Sequence, residues 1–396
     1  MTRAYLYEAI RTGRGKAKPG GGLAQHTPLQ LLTALLTEIS ARHGLSGDAV
    51  DDVLIGTATQ TGAQGGNIAR TAAILAGWGE TTPGMTLNRF CASGIDAINT
   101  AAAYTNAAMA ELIVAGGVES VSHTPMYSDH APLFEDPDVV ERTGSVAMGI
   151  AADLIATLEG FDRPELDAYG VRTQRLAAEA WQAGRFDGDV VRIGDFASDE
   201  AIRPATTLES VAQLPALFAQ FGADGQDDLV RRHHPDVGEI RHVHTVATSP
   251  TIVDAAAITL IGGEAAGARH GLRPRARIVS AASVAGNPVI MLTAAQQAVL
   301  TALERAGLHP DDVAVFEVAE AFAASCLKFQ RDLKVTGDRF NPNGGTIAMG
   351  HAFGATGAIL AANCVGELER RGERYSVIAV SGAAGLGSAT VLERVV

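Results

Sequence analysis

Cysteine is scarce in this 396-residue chain. The three present, Cys91, Cys326 and Cys364, are odd in number and far apart. They form no disulfide framework and no paired zinc-ligand spacing. This suggests a reduced, cytoplasmic protein in which any reactive thiol must be argued from its surroundings. No apolar run approaches the roughly 18 residues of a membrane span. The opening MTRAYLYEAIRTGRGK has no apolar stretch followed by a small-residue cleavage site, so no signal peptide is expected. Basic side chains are outnumbered, 31 Lys and Arg against 44 Asp and Glu, for a net charge of −13. Nucleic-acid binding needs clustered cations on phosphates, so it is not the expected activity. Aromatics make up only 5 % of residues, whereas apolar residues reach 47 % and charged ones 19 %. That composition supports a sizeable core and excludes global disorder. The 44 glycines, among many alanines, imply close backbone packing and tight turns.

Strand-like runs alternate with Ala/Leu-rich helical runs. Val53–Ile55, Leu112–Ala115, Ile278–Ala281, Val313–Val318 and Val377–Val380 read as strands. Pro28–Arg42, Gly94–Met109, Thr293–Ala306 and Thr356–Arg371 read as helices. This alternation predicts an α/β architecture with buried sheets. Two stretches repeat one order of elements: a small-residue turn, a helix, a strand and a glycine turn. The first runs from Ala92-Ser93-Gly94 to Gly116-Gly117, the second from Ala355-Thr356-Gly357 to Gly382. Such a repeat suggests internal duplication. The middle, residues 119–245, carries seven prolines and only short helical pieces. It reads as a loop-rich insertion over a rigid scaffold, a common place for ligand binding.

Four segments can carry chemistry. Asn88-Arg89-Phe90-Cys91-Ala92-Ser93-Gly94 places Cys91 where a helix begins. Free N–H groups and the positive dipole end favour thiolate there, as a nucleophile needs. The alternative is a buried, inert cysteine. Gly350-His351-Ala352-Phe353-Gly354 sets His351 among glycines ahead of another helix. It can take a thiol proton or donate to an oxyanion, or simply be structural. Gly382-Ala383-Ala384-Gly385-Leu386-Gly387 has the order GxxGxG rather than GxGxxG, and nine residues follow it. A tight turn exposing backbone N–H groups fits better than dinucleotide binding. His233, His234, His242 and His244 lack an obvious acidic or cysteine partner nearby in sequence, so no metal site is expected.

Together these segments resemble the thiolase family, in order and over nearly the whole chain. Glu8-Ala9-Ile10-Arg11-Thr12 resembles its opening, and the Cys91 segment its nucleophile motif. Gly116-Gly117-Val118-Glu119-Ser120 resembles the entry to its CoA-binding loop domain, and Met148-Gly149 a motif within that domain. Ala276-Arg277-Ile278 resembles the opening of its second half, and Asn343-Gly344-Gly345 through His351 its histidine motif. The resemblance implies two similar α/β halves stacked as a five-layered α-β-α-β-α sandwich with an inserted loop domain. Residues 1–118 and 246–270 would form the first half, 119–245 the loop domain and 271–396 the second half. It also implies a homodimer or homotetramer acting on acyl-CoA and CoA, with no tightly bound cofactor and no metal.

By the same resemblance Cys91 is the nucleophile and His351 its base, and the N–H groups of Cys91 and Ala383 form an oxyanion hole. Arg203 would stack on the CoA adenine, with Ser210, Ser249 and Met148 as further CoA contacts. Two positions depart from the family. Its Asn-Glu-Ala-Phe motif is Ala319-Glu320-Ala321-Phe322 here, and its second catalytic cysteine is Ser381. Losing an oxyanion donor costs about 10²–10³ in rate, and a serine hydroxyl is a far weaker acid than a thiol. The implied activity is cleavage of 3-ketoacyl-CoA by CoA, or its reverse. The alternatives are acyl transfer or hydrolysis without C–C chemistry, and a non-catalytic CoA-binding subunit.

Overall fold

The computed structural model describes residues 3–395. Among them are eleven strands: β1 (Tyr5–Thr12), β2 (Gly15–Lys16), β3 (Asp52–Gly56), β4 (Met85–Leu87), β5 (Leu112–Glu119), β6 (Val190–Val191), β7 (Val253–Gly262), β8 (Ala276–Ala285), β9 (Val315–Val318), β10 (Tyr375–Ser381) and β11 (Leu386–Arg394). The order is β4-β3-β5-β7-β1 in the first half and β8-β11-β10-β9 in the second. Among the described residues, only the pairs Tyr5–Arg277 and Leu6–Ala276 join the halves edge to edge.

The expected duplication is visible in the pairing. β3 runs parallel to β5, as β9 does to β10. β5, β7 and β1 are antiparallel neighbours, as are β10, β11 and β8. An isolated parallel bridge between Phe316 and Phe340 stands in the second half where β4 borders β3 in the first.

The helices complete five layers. Pro28–His43 covers the outer face of the first-half strands, and Ala294–Ala306 covers that of the second. Ser93–Asn106 and Phe353–Arg371 lie between the two sets of strands. The latter is buried at every residue from Phe353 to Val365. Its small, apolar composition is that of a helix enclosed on all sides.

These central helices touch through backbone. A Cβ on Gly94 would lie 2.4 Å from the Gly354 carbonyl oxygen, and one on Gly357 would lie 2.4 Å from Ile95 N. Gly116 and Gly117 do not form the expected turn; β5 continues through them to Glu119. The reason is the same. A Cβ on Gly117 would sit 2.2 Å from the Gly354 oxygen, and one on Gly116 2.0 Å from the Ala257 oxygen.

The middle of the chain is more helical than its prolines suggested. Arg163–Gln182 is a single 20-residue helix, with a capping box between Asp162 and Glu165. Pro132, Pro137 and Pro164 all fall in first turns, where a missing N–H costs little. Met148–Glu159 packs on Ala323–Leu333 of the second half through one core.

Gly357→Ala tests the close approach. Ala normally gains about 0.5–1 kcal/mol over Gly inside a helix. Here the added methyl meets backbone, so the sign should reverse to a loss of about 1–3 kcal/mol, read by urea denaturation.

Candidate active site

Cys91 occupies a tight turn just before the Ser93–Asn106 helix. Phe90 has φ 49°, and the Asn88 Oδ1 accepts its N–H at 2.7 Å. Ser93 Oγ accepts the Arg89 N–H at 2.8 Å and donates to the Phe90 carbonyl at 2.6 Å. The turn is thereby held from both sides, with Cys91 only 4 % exposed.

The helix end does not decide the thiol's protonation. Burial, and then the Glu119 carboxyl, push Cys91 up to about 12. The resting group is therefore a thiol, contrary to the expectation of a thiolate. Glu119 accepts N–H groups from Ala58 at 2.8 Å and Gly354 at 2.9 Å, and the Gln64 amide at 2.6 Å. It ties the first half to the N-terminus of the Phe353–Arg371 helix; burial pushes its own carboxyl up, and these N–H bonds oppose that rise.

His351 precedes that helix as Cys91 precedes its own. Gly350 has φ 104°, a conformation that favours glycine, and a Cβ there would meet Val253 Cγ1 at 2.3 Å. The His351 N–H donates to Thr251 O at 2.8 Å, and its Nδ1 lies 2.9 Å from Thr356 Oγ1. This leaves Nε2 for the site. Burial, with the Arg14 guanidinium adding to it, pulls the imidazole down to about 4, so it is neutral near pH 7. Arg14 is placed by its bond to Gly350 O at 3.2 Å.

Both residues open into one apolar cavity of about 330 Å³, which Ala319, Ser381, Ser249 and Met148 also line. Leu217, Phe218, Phe221 and Phe322 form much of its wall. The Ser249 hydroxyl is buried without a protein partner. A second chamber of about 370 Å³ lies beyond, with Leu133, Phe134, Val146 and Met291 as walls and Arg142 at its edge. A narrow space of about 40 Å³ between Cys91, Phe134 and Ala383 adjoins both. Tyr127 and Met148 line all three.

Arg203 and Ser210 line none of these spaces. Arg203 is exposed, anchored through its N–H to Gln174 Oε1 at 2.7 Å. Ser210 is exposed and shares a capping box with Thr207.

The Ser381 hydroxyl is already committed: it accepts the Ala295 N–H at 3.0 Å and donates to Leu292 O at 3.0 Å. Behind it lies a void of about 10 Å³ that Ala319 and Cys326 also line. Sequence separation had set Cys326 aside, but folding brings it next to Ser381. Burial, then Glu320, push its thiol far up. Glu320 itself accepts from Tyr169 Oη at 2.6 Å, Asn341 Nδ2 at 3.1 Å and Ile347 N at 3.0 Å. It pins the histidine loop to the Arg163–Gln182 helix.

Two of the four histidines thought to lack acidic partners do have them. His242 Nδ1 lies 2.9 Å from Asp153 and its Nε2 3.1 Å from Asp227, while His244 Nδ1 lies 2.7 Å from Asp153. Asp153 comes from a helix some ninety residues earlier, out of reach of local sequence reading. No group of three or more His, Cys, Asp or Glu side chains among the described residues is arranged to hold a metal. No helix among them is long and apolar enough to cross a membrane.

Comparison with known proteins agrees with this arrangement. Residues 4–224 match the thiolase N-terminal domain model and residues 272–394 the thiolase C-terminal domain model. The chain is 34 % identical to the 3-oxoadipyl-CoA/3-oxo-5,6-dehydrosuberyl-CoA thiolase of Escherichia coli K12, over the whole of both chains. It is 34 % identical to a steroid 3-ketoacyl-CoA thiolase of Mycobacterium tuberculosis, over all of this chain and 95 % of that one. The crystal structure of the Bacillus anthracis acetyl-CoA acetyltransferase superposes with a TM-score of 0.85 at 28 % identity, covering 100 % of this chain and 99 % of that one. By fold and relatives the protein is an acyltransferase. It belongs to the thiolase family.

Because Cys91 rests as a thiol, its alkylation by iodoacetamide should rise steadily from pH 6 to pH 10. A plateau beginning near pH 7 would instead mean a preformed thiolate.

Proposed function

We propose that the chain cleaves 3-ketoacyl-CoA with CoA through an acyl-Cys91 intermediate. The observation that carries this reading is the shared cavity: a thiol and a neutral imidazole, brought from two halves of the fold, open into one apolar space. His351 Nε2 takes the Cys91 proton as sulfur attacks the 3-keto carbon. Separate ionisation would be costly, because burial raises one group and lowers the other. Proton transfer therefore accompanies S–C bond formation. Apart from any bonds within helices and strands, neither the Cys91 nor the Ala383 N–H donates to a protein carbonyl. Both are free to hold the developing oxyanion. The C–C bond then breaks, acetyl-CoA leaves as its enolate and is protonated, and CoA takes the acyl group from Cys91.

Ser249, with its unpartnered hydroxyl, suits a pantetheine amide, and Met148 flanks the same channel. Arg203 and Ser210, outside the cavities, suit the adenosine end of CoA; a guanidinium plane fits an adenine face. The second chamber suits an apolar acyl group larger than acetyl. The protein would work in the cytoplasm as a homodimer or homotetramer, as its resemblance implies.

A second reading keeps acyl transfer but loses C–C chemistry. One observation favours it: the Ser381 hydroxyl is tied to backbone on both sides.

Purified protein mixed with CoA and a short or long 3-ketoacyl-CoA decides between them. Loss of substrate should vanish in Cys91→Ala and fall about 10²–10⁴-fold in His351→Ala. Release of CoA from a simple acyl-CoA without any ketoacyl cleavage would establish the second reading instead.

A further inference from the structure

Thiolase chemistry needs a third proton carrier besides Cys91 and His351. It must protonate the departing enolate and then take the thiol proton of incoming CoA. Ser381 donates its only proton to Leu292 O. Cys326 lies behind Ser381 and Ala319 and lines none of the larger spaces. Asp129 is exposed and lines the narrow space but not the main cavity that holds His351, and Arg142 lines only the far chamber; Tyr127, itself 39 % exposed, differs from both in reaching the main cavity.

That leaves Tyr127. It lines the main cavity with Cys91 and His351, and the narrow space with Cys91 and Ala383. Its backbone has φ 67°, an unusual conformation for an aromatic residue, of a kind that gathers at functional sites. Its ring packs edge-on against Phe134 at 4.8 Å between centroids. The phenols of Tyr7 and Tyr169 are bonded to Gly263 O and Glu320. Among the described residues, the Tyr127 hydroxyl has no such partner.

We infer that Tyr127 is the general acid and base for the substrate α-carbon, taking the role that the resemblance gives to the family's second cysteine. This rests on the thiolase reading above. The protons balance. The Tyr127 hydroxyl gives its proton to the enolate carbon, leaving phenolate and neutral acetyl-CoA. The phenolate takes the proton of incoming CoA, whose thiolate attacks the acyl-Cys91 thioester. Cys91 leaves as thiolate and recovers its proton from the His351 imidazolium. Burial, and then the neighbouring Cys91, raise the phenol, so it rests protonated as the first step requires. A phenolate is also basic enough to deprotonate a thiol.

Tyr127→Phe removes only the hydroxyl and keeps the packing on Phe134. Deuterium exchange into the methyl group of acetyl-CoA in D₂O, followed by NMR, reads α-carbon proton transfer without C–C cleavage. We expect exchange and thiolysis to fall about 10²–10⁴-fold. Alkylation of Cys91 by iodoacetamide, which draws no proton from Tyr127, should stay within about twofold, which also reports an intact fold. Cys326→Ala should leave exchange unchanged. Wild-type exchange in Tyr127→Phe, or lost exchange in Cys326→Ala, overturns the assignment while leaving the thiolase reading standing. A wild-type protein that acylates Cys91 but neither exchanges nor cleaves overturns both.

Discussion

The structure depends on one contact: two helices whose backbones meet with no side chain between them. Gly94 on one and Gly354 and Gly357 on the other allow Ser93–Asn106 and Phe353–Arg371 to pack at this distance. The nucleophile segment ends at one of these helix starts and the histidine segment at the other. Bringing the helices together brings Cys91 and His351 together, although 260 residues separate them. Glu119 fastens the same junction by accepting the Gly354 N–H. Any methyl inserted here separates the halves, and Cys91 from His351, at once.

Burial sets the electrostatics of the site more than any single charge. It raises the thiol, lowers the imidazole and leaves both neutral at rest. A neutral pair is tolerated in an apolar cavity, where an ion pair would need further partners. In the proposed reaction the charge appears only when substrate supplies a carbonyl to accept it. Catalysis of this kind keeps its strongest interaction for the transition state.

Much of the fold was legible because its signals are local. The runs at Val53–Ile55 and Val377–Val380 lie inside β3 and β10, and the repeated small-residue turns mark the two central helices. Cys91 and His351 stood out because glycines and a helix start surround them. Other features depend on distant partners. Gly116 and Gly117 looked like a turn because only the folded state shows the Ala257 and Gly354 backbones pressed against them. The prolines before the middle helices looked like loop markers, yet they sit where helices accept them. Asp153 reaches His242 and His244 from a distant helix, and Cys326 reaches the Ser381 void only through tertiary packing. Tyr127 lies in no motif at all; only the meeting of three cavities singles it out.

The Ser381 hydroxyl has one more consequence. Thr293, at the start of the Ala294–Ala306 helix, makes no side-chain cap, so the Ala295 N–H would be left without a partner. Ser381 satisfies it from across the sheet. Ser381 thus serves as a remote helix cap, worth about 1 kcal/mol. A thiol is a weak acceptor and would give up most of that bond. A cysteine at this position would therefore loosen the start of the Ala294–Ala306 helix and, with it, the outer layer.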